Sequence, residues 1–399
     1  MIRPLLTATA LFAGAAAHAQ TADWADITAA AEGQTVYFHA WGGAEPINDF
    51  IAWAAGRVAE DYGVTVEHVR LADTADAVSR VVAERSAGRD DGGAVDLIWI
   101  NGANFASMQE QELLFGPWVT ALPNWALTDP EANPLLTHDF TVPTNGREAP
   151  LSLAQLVFFT DLARVDDAPT SAEALLDWAA ANPGRFAYPA LPDFSGTTFL
   201  KQALIELTPD PSVLETAPTD ATYEAATDPL WAYLDDLTPH LWRGGQAYPT
   251  SAPQLIQLMA DGEIDIAFSF NPNEASNAIA NFQLPETVRS FVFEGGTLGN
   301  ASFVAIPYNS SVTEGAMVFA NFLMSPEAQA RMQDPAYWGN GTVLDLDRLS
   351  PEARALFDAI ELGIATLPPE DLGDPLPEPH PAWVTRLEAD WAARYGVTQ

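Results

Sequence analysis

The chain has 399 residues, of which 48% are hydrophobic, 54 acidic and 17 basic, with no cysteine. A formal charge of −37 excludes nucleic acid and anionic lipid as partners, because both are bound by basic patches that displace counterions. Without cysteine there is neither a disulfide nor a lipid-anchoring thiol, so folding rests on hydrophobic burial.

Residues 1–19 read as a secretory signal peptide. Met1-Ile2-Arg3 precedes an apolar, small-residue run from Pro4 to Ala17, and Ala17-His18-Ala19 is an A-x-A cleavage pattern. The run is too short for a bilayer of roughly 30 Å, and no later segment reaches the ~20 apolar residues of a spanning helix. This predicts a secreted, periplasmic chain with no direct membrane insertion. The remainder suits two domains at about 100–200 residues each. Its acidic balance serves either long-range attraction of a cationic solute or solubility, and charge alone argues only the second.

Strand-like and helix-like stretches then alternate, which predicts an α/β protein with largely parallel sheets. A strand over 35–41 ends in Gly42-Gly43. Pro46 opens a helix whose apolar positions Ile47, Phe50, Ile51, Ala54 and Val58 follow helical spacing until Gly63. Residues 64–69 form a second strand, Thr74 caps a helix closed by Gly88, and the run over 95–101, apolar between Asp96 and Asn101, reads as a central strand. Extended chain over 149–160 reads as a first crossover between lobes. Beyond it come a helix (171–181), a short strand (186–188), helices (198–207 and 221–236), a strand (264–270) and a return crossover (288–293). A strand (302–306), a helix (313–324), another starting at Ser325-Pro326-Glu327 and a last helix (383–395) complete the chain. The division is thus residues 20–150 and 294–335 for one lobe, 151–293 for the other, and a helical region 336–399 packed on the second lobe.

Catalytic patterns are missing from this long chain. There is no G-x-S-x-G elbow, H-E-x-x-H pair, phosphate-cradling loop or cysteine nucleophile. His39, His68, His138, His240 and His380 lack metal-ligand spacing. We expect no catalytic residue, metal or cofactor. The alternative class is a periplasmic enzyme using carboxylates such as Glu274 in acid-base work, which needs a second carboxylate in the cleft.

Binding chemistry is expected in the loops that follow strands or open helices, where open α/β sheets take ligands. Trp41, beside Gly42 and Gly43, is either an aromatic wall for a ligand or a core tryptophan. Asn101 and Asn104, next to Phe105, bond a ligand or satisfy turn backbone. Ser195, Gly196 and Thr197 present donors to a phosphate or carboxylate, or cap their own helix. Glu274, in the turn with Asn271 and oriented by Asn273, neutralises a cation or the helix dipole. Gln155 faces the cleft if the crossover is a hinge, and Tyr337 and Trp338 are cleft or core aromatics.

The stretches Asp96-Leu97-Ile98-Trp99-Ile100-Asn101-Gly102-Ala103-Asn104-Phe105, Phe268-Ser269-Phe270-Asn271-Pro272-Asn273-Glu274-Ala275 and Glu294-Gly295-Gly296-Thr297-Leu298-Gly299-Asn300 resemble the YnjB family of periplasmic binding components. So do Tyr337-Trp338-Gly339 and Leu376-Pro377-Glu378-Pro379-His380, and the resemblance spans nearly the whole mature chain. Ala103 departs from it, standing where a glutamate is expected. The resemblance implies a type II periplasmic-binding fold, with two α/β lobes joined by crossover strands around an interlobe cleft. It also implies a monomer that captures a small-molecule ligand of thiamine type by hinged closure, and the permease and ATPase subunits of an ABC importer as partners.

Overall fold

A computed structural model describes residues 23–396, so the signal peptide expected over 1–19 lies outside the described residues. Ten strands run in chain order: β1 (Thr35–Trp41), β2 (Thr65–Leu71), β3 (Leu97–Ile100), β4 (His138–Asp139), β5 (Val142–Pro143), β6 (Glu148–Gln155), β7 (Val157–Asp161), β8 (Ile266–Ser269), β9 (Val288–Phe291) and β10 (Gly299–Ala305). Five of them form one sheet in the order β2-β1-β3-β10-β6, three form a second in the order β8-β7-β9, and β4 and β5 make a small hairpin.

The central strands β3 and β10 of the first sheet are covered on both faces, as their apolar sequences require, while the edge strand β2 stays partly exposed. Phe38, Leu97 and Val304 point into one core with Phe50 and Phe319, while Ile98, Ile100 and Ala305 point into another with Val78, Val81 and Phe105. The helices covering it end where the sequence provides stops. Glu45–Tyr62 has Pro46 in its first turn and closes at Gly63 in the left-handed region, φ +66°. Thr74–Ser86 is capped by Asp73 rather than Thr74: Asp73 accepts from Ala75 N at 2.8 Å, leaving the Thr74 hydroxyl to donate to the Trp99 carbonyl.

The expectation of largely parallel sheets is corrected. β1 runs parallel to β2 and β3, but β10 is antiparallel to both β3 and β6, and β7 is antiparallel to both its neighbours. The cause is the crossover. The chain leaves the first sheet at Gln155 and enters the second at Val157, then returns from Phe291 to Gly299, so the returning strand runs back against its departing partner. Leu156 N donates to the Leu298 carbonyl at 2.8 Å, binding the two connections side by side. The short strand expected over 186–188 is reduced to a single bridge between Phe186 and Ile266.

The second lobe packs Phe158, Phe186, Phe199, Leu234 and Phe268 into one core. The tail, placed on this lobe by the sequence reading, divides between the two. Trp338 enters the first-lobe core and Val343, Leu344 and Phe357 pack with Leu136 and Ala330, whereas Trp383, Leu387 and Trp391 of the helix Ala382–Tyr395 join the second-lobe core.

Candidate functional site

Because β1 and β3 are parallel neighbours, with His39 opposite Ile98, the turns beyond Trp41 and Ile100 leave the same edge of the sheet. Trp41 is half-buried and folded over its own turn: a Cβ on Gly43 would lie 2.2 Å from the indole, and the Gly42 N–H donates to the Leu71 carbonyl at 3.0 Å. Only glycine at position 43 permits this. Asn101 ends β3 in extended geometry without capping the helix Gly102–Glu110, and both Asn101 and Asn104 are half-buried at this edge. Phe105 is corrected from ligand contact to core. It is fully buried with Met108, and the spacing Gly102, Phe105, Met108 already marked the inner face of a helix.

The second lobe brings two turns to the same place. The first opens the helix Phe194–Leu207, and here the expected anion donors are already used: Asp193 accepts from Ser195 N at 2.9 Å and Gly196 N at 3.3 Å. Gly196 sits so close to Pro189 that a Cβ would lie 2.2 Å from its carbonyl oxygen, and Thr197 donates its hydroxyl to Glu388 at 2.9 Å. The turn therefore caps its own helix.

The other turn follows β8. Asn271 accepts from Asn273 N at 2.9 Å and donates to the Trp338 carbonyl at 2.7 Å, and Asn273 donates to the Gly339 carbonyl. Glu274 begins the next helix, half-buried, and burial pushes its carboxyl above the usual range despite the hydrogen bond from Asn271. Trp338 itself is corrected to core: it meets Phe50 and Trp99 edge-on at 5.3 and 5.2 Å. Tyr337 remains exposed, with the Arg331 guanidinium 3.6 Å from its ring centroid. Gln155 is buried at the crossover, where its amide donates to Thr297 and to the Leu372 carbonyl at 3.3 and 3.1 Å. It braces the connection and leaves no donor free.

These contacts close a ring across the lobes. Gly102 lies under the Phe140 ring, Phe140 faces the Lys201 ammonium at 4.8 Å, and Lys201 faces Phe194 at 5.6 Å. Phe194 meets Phe270 edge-on at 5.4 Å, and the Asn271 turn reaches back through Trp338 to Trp99 of β3. The turns at Asn101, Ser195 and Asn271 thus meet along one seam, with Trp41 on the strand beside it.

Sequence reasoning missed the charges that furnish this seam. Asp139 and Glu148 are buried in the first lobe, Asp193 and Glu388 flank the Ser195 turn, and Lys201 pairs with Glu378 at 2.6 Å with both side chains out of solvent. Burial raises Asp193 and Glu388, and Asp73 of the first lobe raises both further by like charge. Asp193 was legible as a helix cap; the 177-residue separation of Lys201 and Glu378 was not. A hollow of about 400 Å³ opens elsewhere, between Gln202, Glu206, Ser212 and the segment Leu376 to Pro379, and no sequence-predicted site residue lines it.

Two unequal α/β lobes joined by paired crossovers, with polar turns of both meeting at the seam, define the class of type II periplasmic solute-binding proteins. Solved structures share the fold. The periplasmic binding protein AfuA of Actinobacillus pleuropneumoniae, with exogenous fructose-6-phosphate bound, matches with a TM-score of 0.63 at 14% identity over 92% of this chain and 99% of its own. The spermidine/putrescine substrate-binding protein PotD of Streptococcus pneumoniae matches with a TM-score of 0.59 at 17% identity over 91% and 98%. The family of bacterial extracellular solute-binding proteins matches residues 53–345. The chain is also 44% identical over 375 residues, 94% of both lengths, to protein YnjB of Escherichia coli K12. It belongs to the bacterial extracellular solute-binding protein family and is a YnjB-type periplasmic binding protein of an ABC transport system. Among the described residues no helix is long and apolar enough to cross a membrane.

Proposed function

We propose that this protein captures a small organic cation between its lobes, a cationic heteroaromatic compound such as thiamine, and presents it to the membrane permease of an importer. The observation that carries the reading is the charge of the seam. Glu274 opens the helix after the Asn271 turn and Asp193 and Glu388 bond the Ser195 turn, while Lys201 is already neutralised by Glu378. A desolvated cation over Trp41 adds about 0.5–2 kcal/mol. The Ser195 turn supports the unphosphorylated solute, since its amides are bonded to Asp193. Spermidine and putrescine, named for PotD, are organic cations too.

Capture proceeds as a population shift: the solute favours the closed arrangement by as much as it binds that arrangement better than the open one. The mature chain, cleaved near Ala19, acts as a monomer. A thermal-shift panel of thiamine, thiamine monophosphate and putrescine, with mass spectrometry of molecules retained through purification, tests this. A solute at 100 times its Kd adds about 2.7 kcal/mol of stability. Stabilisation by thiamine or putrescine supports the proposal; stabilisation by anionic solutes alone, or recovery of a retained anion, removes it.

A further inference from the structure

We infer that the β4–β5 hairpin tip, Asp139 and Phe140, forms a clasp with Lys201 that holds the two lobes together beside the crossover, with Phe140 as the positioning residue that ties the Asn101 loop into it. Nothing in this depends on which solute is bound.

Two adjacent residues of the hairpin grip the start of the Asn101 loop. Asp139 is fully buried and both its oxygens lie 2.8 Å from the Gly102 N–H, while the Phe140 ring covers Gly102 so closely that a Cβ there would lie 2.7 Å from the ring. Gly102 is itself left-handed, φ +59°, so glycine is required on both counts. Across the seam the same ring faces the Lys201 ammonium, which belongs to the second-lobe helix Phe194–Leu207. One aromatic side chain therefore touches the candidate loop of one lobe and a cation of the other.

The backbone at Phe140 supports a role beyond filling space. It holds φ +55°, a region that bulky residues occupy only where their surroundings impose it. Lys201, the single lysine of the chain, is 2% exposed. Its partner Glu378 also accepts from Asn300 Nδ2 at 2.9 Å, on the strand that leaves the return crossover. The ammonium is thus fixed to the second lobe, the tail and the crossover strand, and the Phe140 ring is its contact with the hairpin. Parting the lobes separates a desolvated cation from that ring, where such contacts are strongest.

The lone lysine makes opening measurable. The mature protein, without added solute, is pulsed with an amine-acetylating reagent, and acetylation of the Lys201 peptide is followed by mass spectrometry. The expected result is labelling far slower than in the denatured chain, acceleration by about tenfold in F140L from loss of one desolvated cation–π contact, and the wild-type rate in F140Y. F140L labelling at the wild-type rate, or F140Y labelling as fast as F140L, overturns the clasp. Should F140L fail to fold, scattering of K201M/E378Q, which removes both members of the buried ion pair, decides. A radius of gyration above wild type is expected, and an unchanged one overturns the inference.

Discussion

Asn271 of the second lobe donates its side-chain amide to the carbonyl of Trp338 at 2.7 Å, while the indole of Trp338 packs edge-on against Phe50 and Trp99 of the first lobe. One residue is therefore held by its side chain in one lobe and by its backbone in the other. Asn277 donates to the same carbonyl at 3.0 Å. N271A leaves that oxygen a partner and costs about 1 kcal/mol, whereas N271A/N277A leaves it buried with neither donor and costs about 1–3 kcal/mol more than the sum of the single changes. Urea midpoints of the four proteins measure this; strict additivity would mean the carbonyl finds another donor.

Gly339 is the neighbouring weak point. Its φ is +98°, and a Cβ would lie 2.5 Å from Asn273 Cβ and 3.1 Å from Asn271 Oδ1. G339A therefore strains the backbone and forces apart the contact between the lobes. We expect a loss exceeding about 1 kcal/mol, read as a lower urea midpoint at unchanged slope. Wild-type stability in this variant would show that the 338–340 segment shifts freely.

Glu274 separates binding from folding. Burial raises its carboxyl, so replacing it with an uncharged isostere removes a desolvation cost without removing shape. E274Q should keep or raise the thermal midpoint of the solute-free protein while weakening an organic cation that stabilises wild type by about tenfold or more, given about 1.5–3 kcal/mol for a hydrogen bond to a charged group. Titration calorimetry on both proteins gives the ratio. Equal affinities would move the charge partner to Asp193 or Glu388.

Asp139 and Glu148 make stability fall as pH rises above about 4. Burial holds both well above the usual carboxylate range, and Glu148 is further raised by Asp139 and has no hydrogen-bond partner on either oxygen. A raised folded pKa stabilises fully below the ordinary value of about 4 and loses that contribution as pH rises through the folded value. His39 and His68 act oppositely: burial lowers both, so their contribution holds above about 6.5 and is lost as pH falls. E148Q should flatten the decline of the urea midpoint that begins as pH rises above about 4, and leave the histidine-linked loss below about 6.5 unchanged. A wild-type-like decline in E148Q would assign it to other groups.

What was legible in the sequence follows from what is local. The strand over 35–41 and the helix from Pro46 to Gly63 were readable because alternation, helical spacing and a glycine stop act within a few residues. Strand direction was not, since an apolar run such as Val157–Asp161 reads the same whether its neighbours run with or against it. The turns at Asn101, Ser195 and Asn271 were found by their position after strands or before helices. Their free groups were misjudged because the partners, Asp139 for Gly102 and Trp338 for Asn271, lie 37 and 67 residues away. The Ser195 turn differs: its partner Asp193 stands two residues off, and the choice between self-capping and ligand binding is one of energy rather than pattern.

That choice can be reversed. With Asp193 in place, the Ser195 and Gly196 amides are bonded to a carboxylate that also repels anions, so inorganic phosphate should leave the wild-type thermal midpoint unchanged. D193G removes both obstacles at a cost of only a few tenths of a kcal/mol, since glycine is a tolerated cap. The uncovered amides, at the positive end of a fourteen-residue helix, then form an anion site. Phosphate should raise the midpoint of D193G and not of wild type, in a salt-sensitive manner. If neither responds, Glu388 and Asp73 repel the anion without help from Asp193; if both respond, the cap does not exclude anions, and a phosphorylated solute regains its place among the candidates.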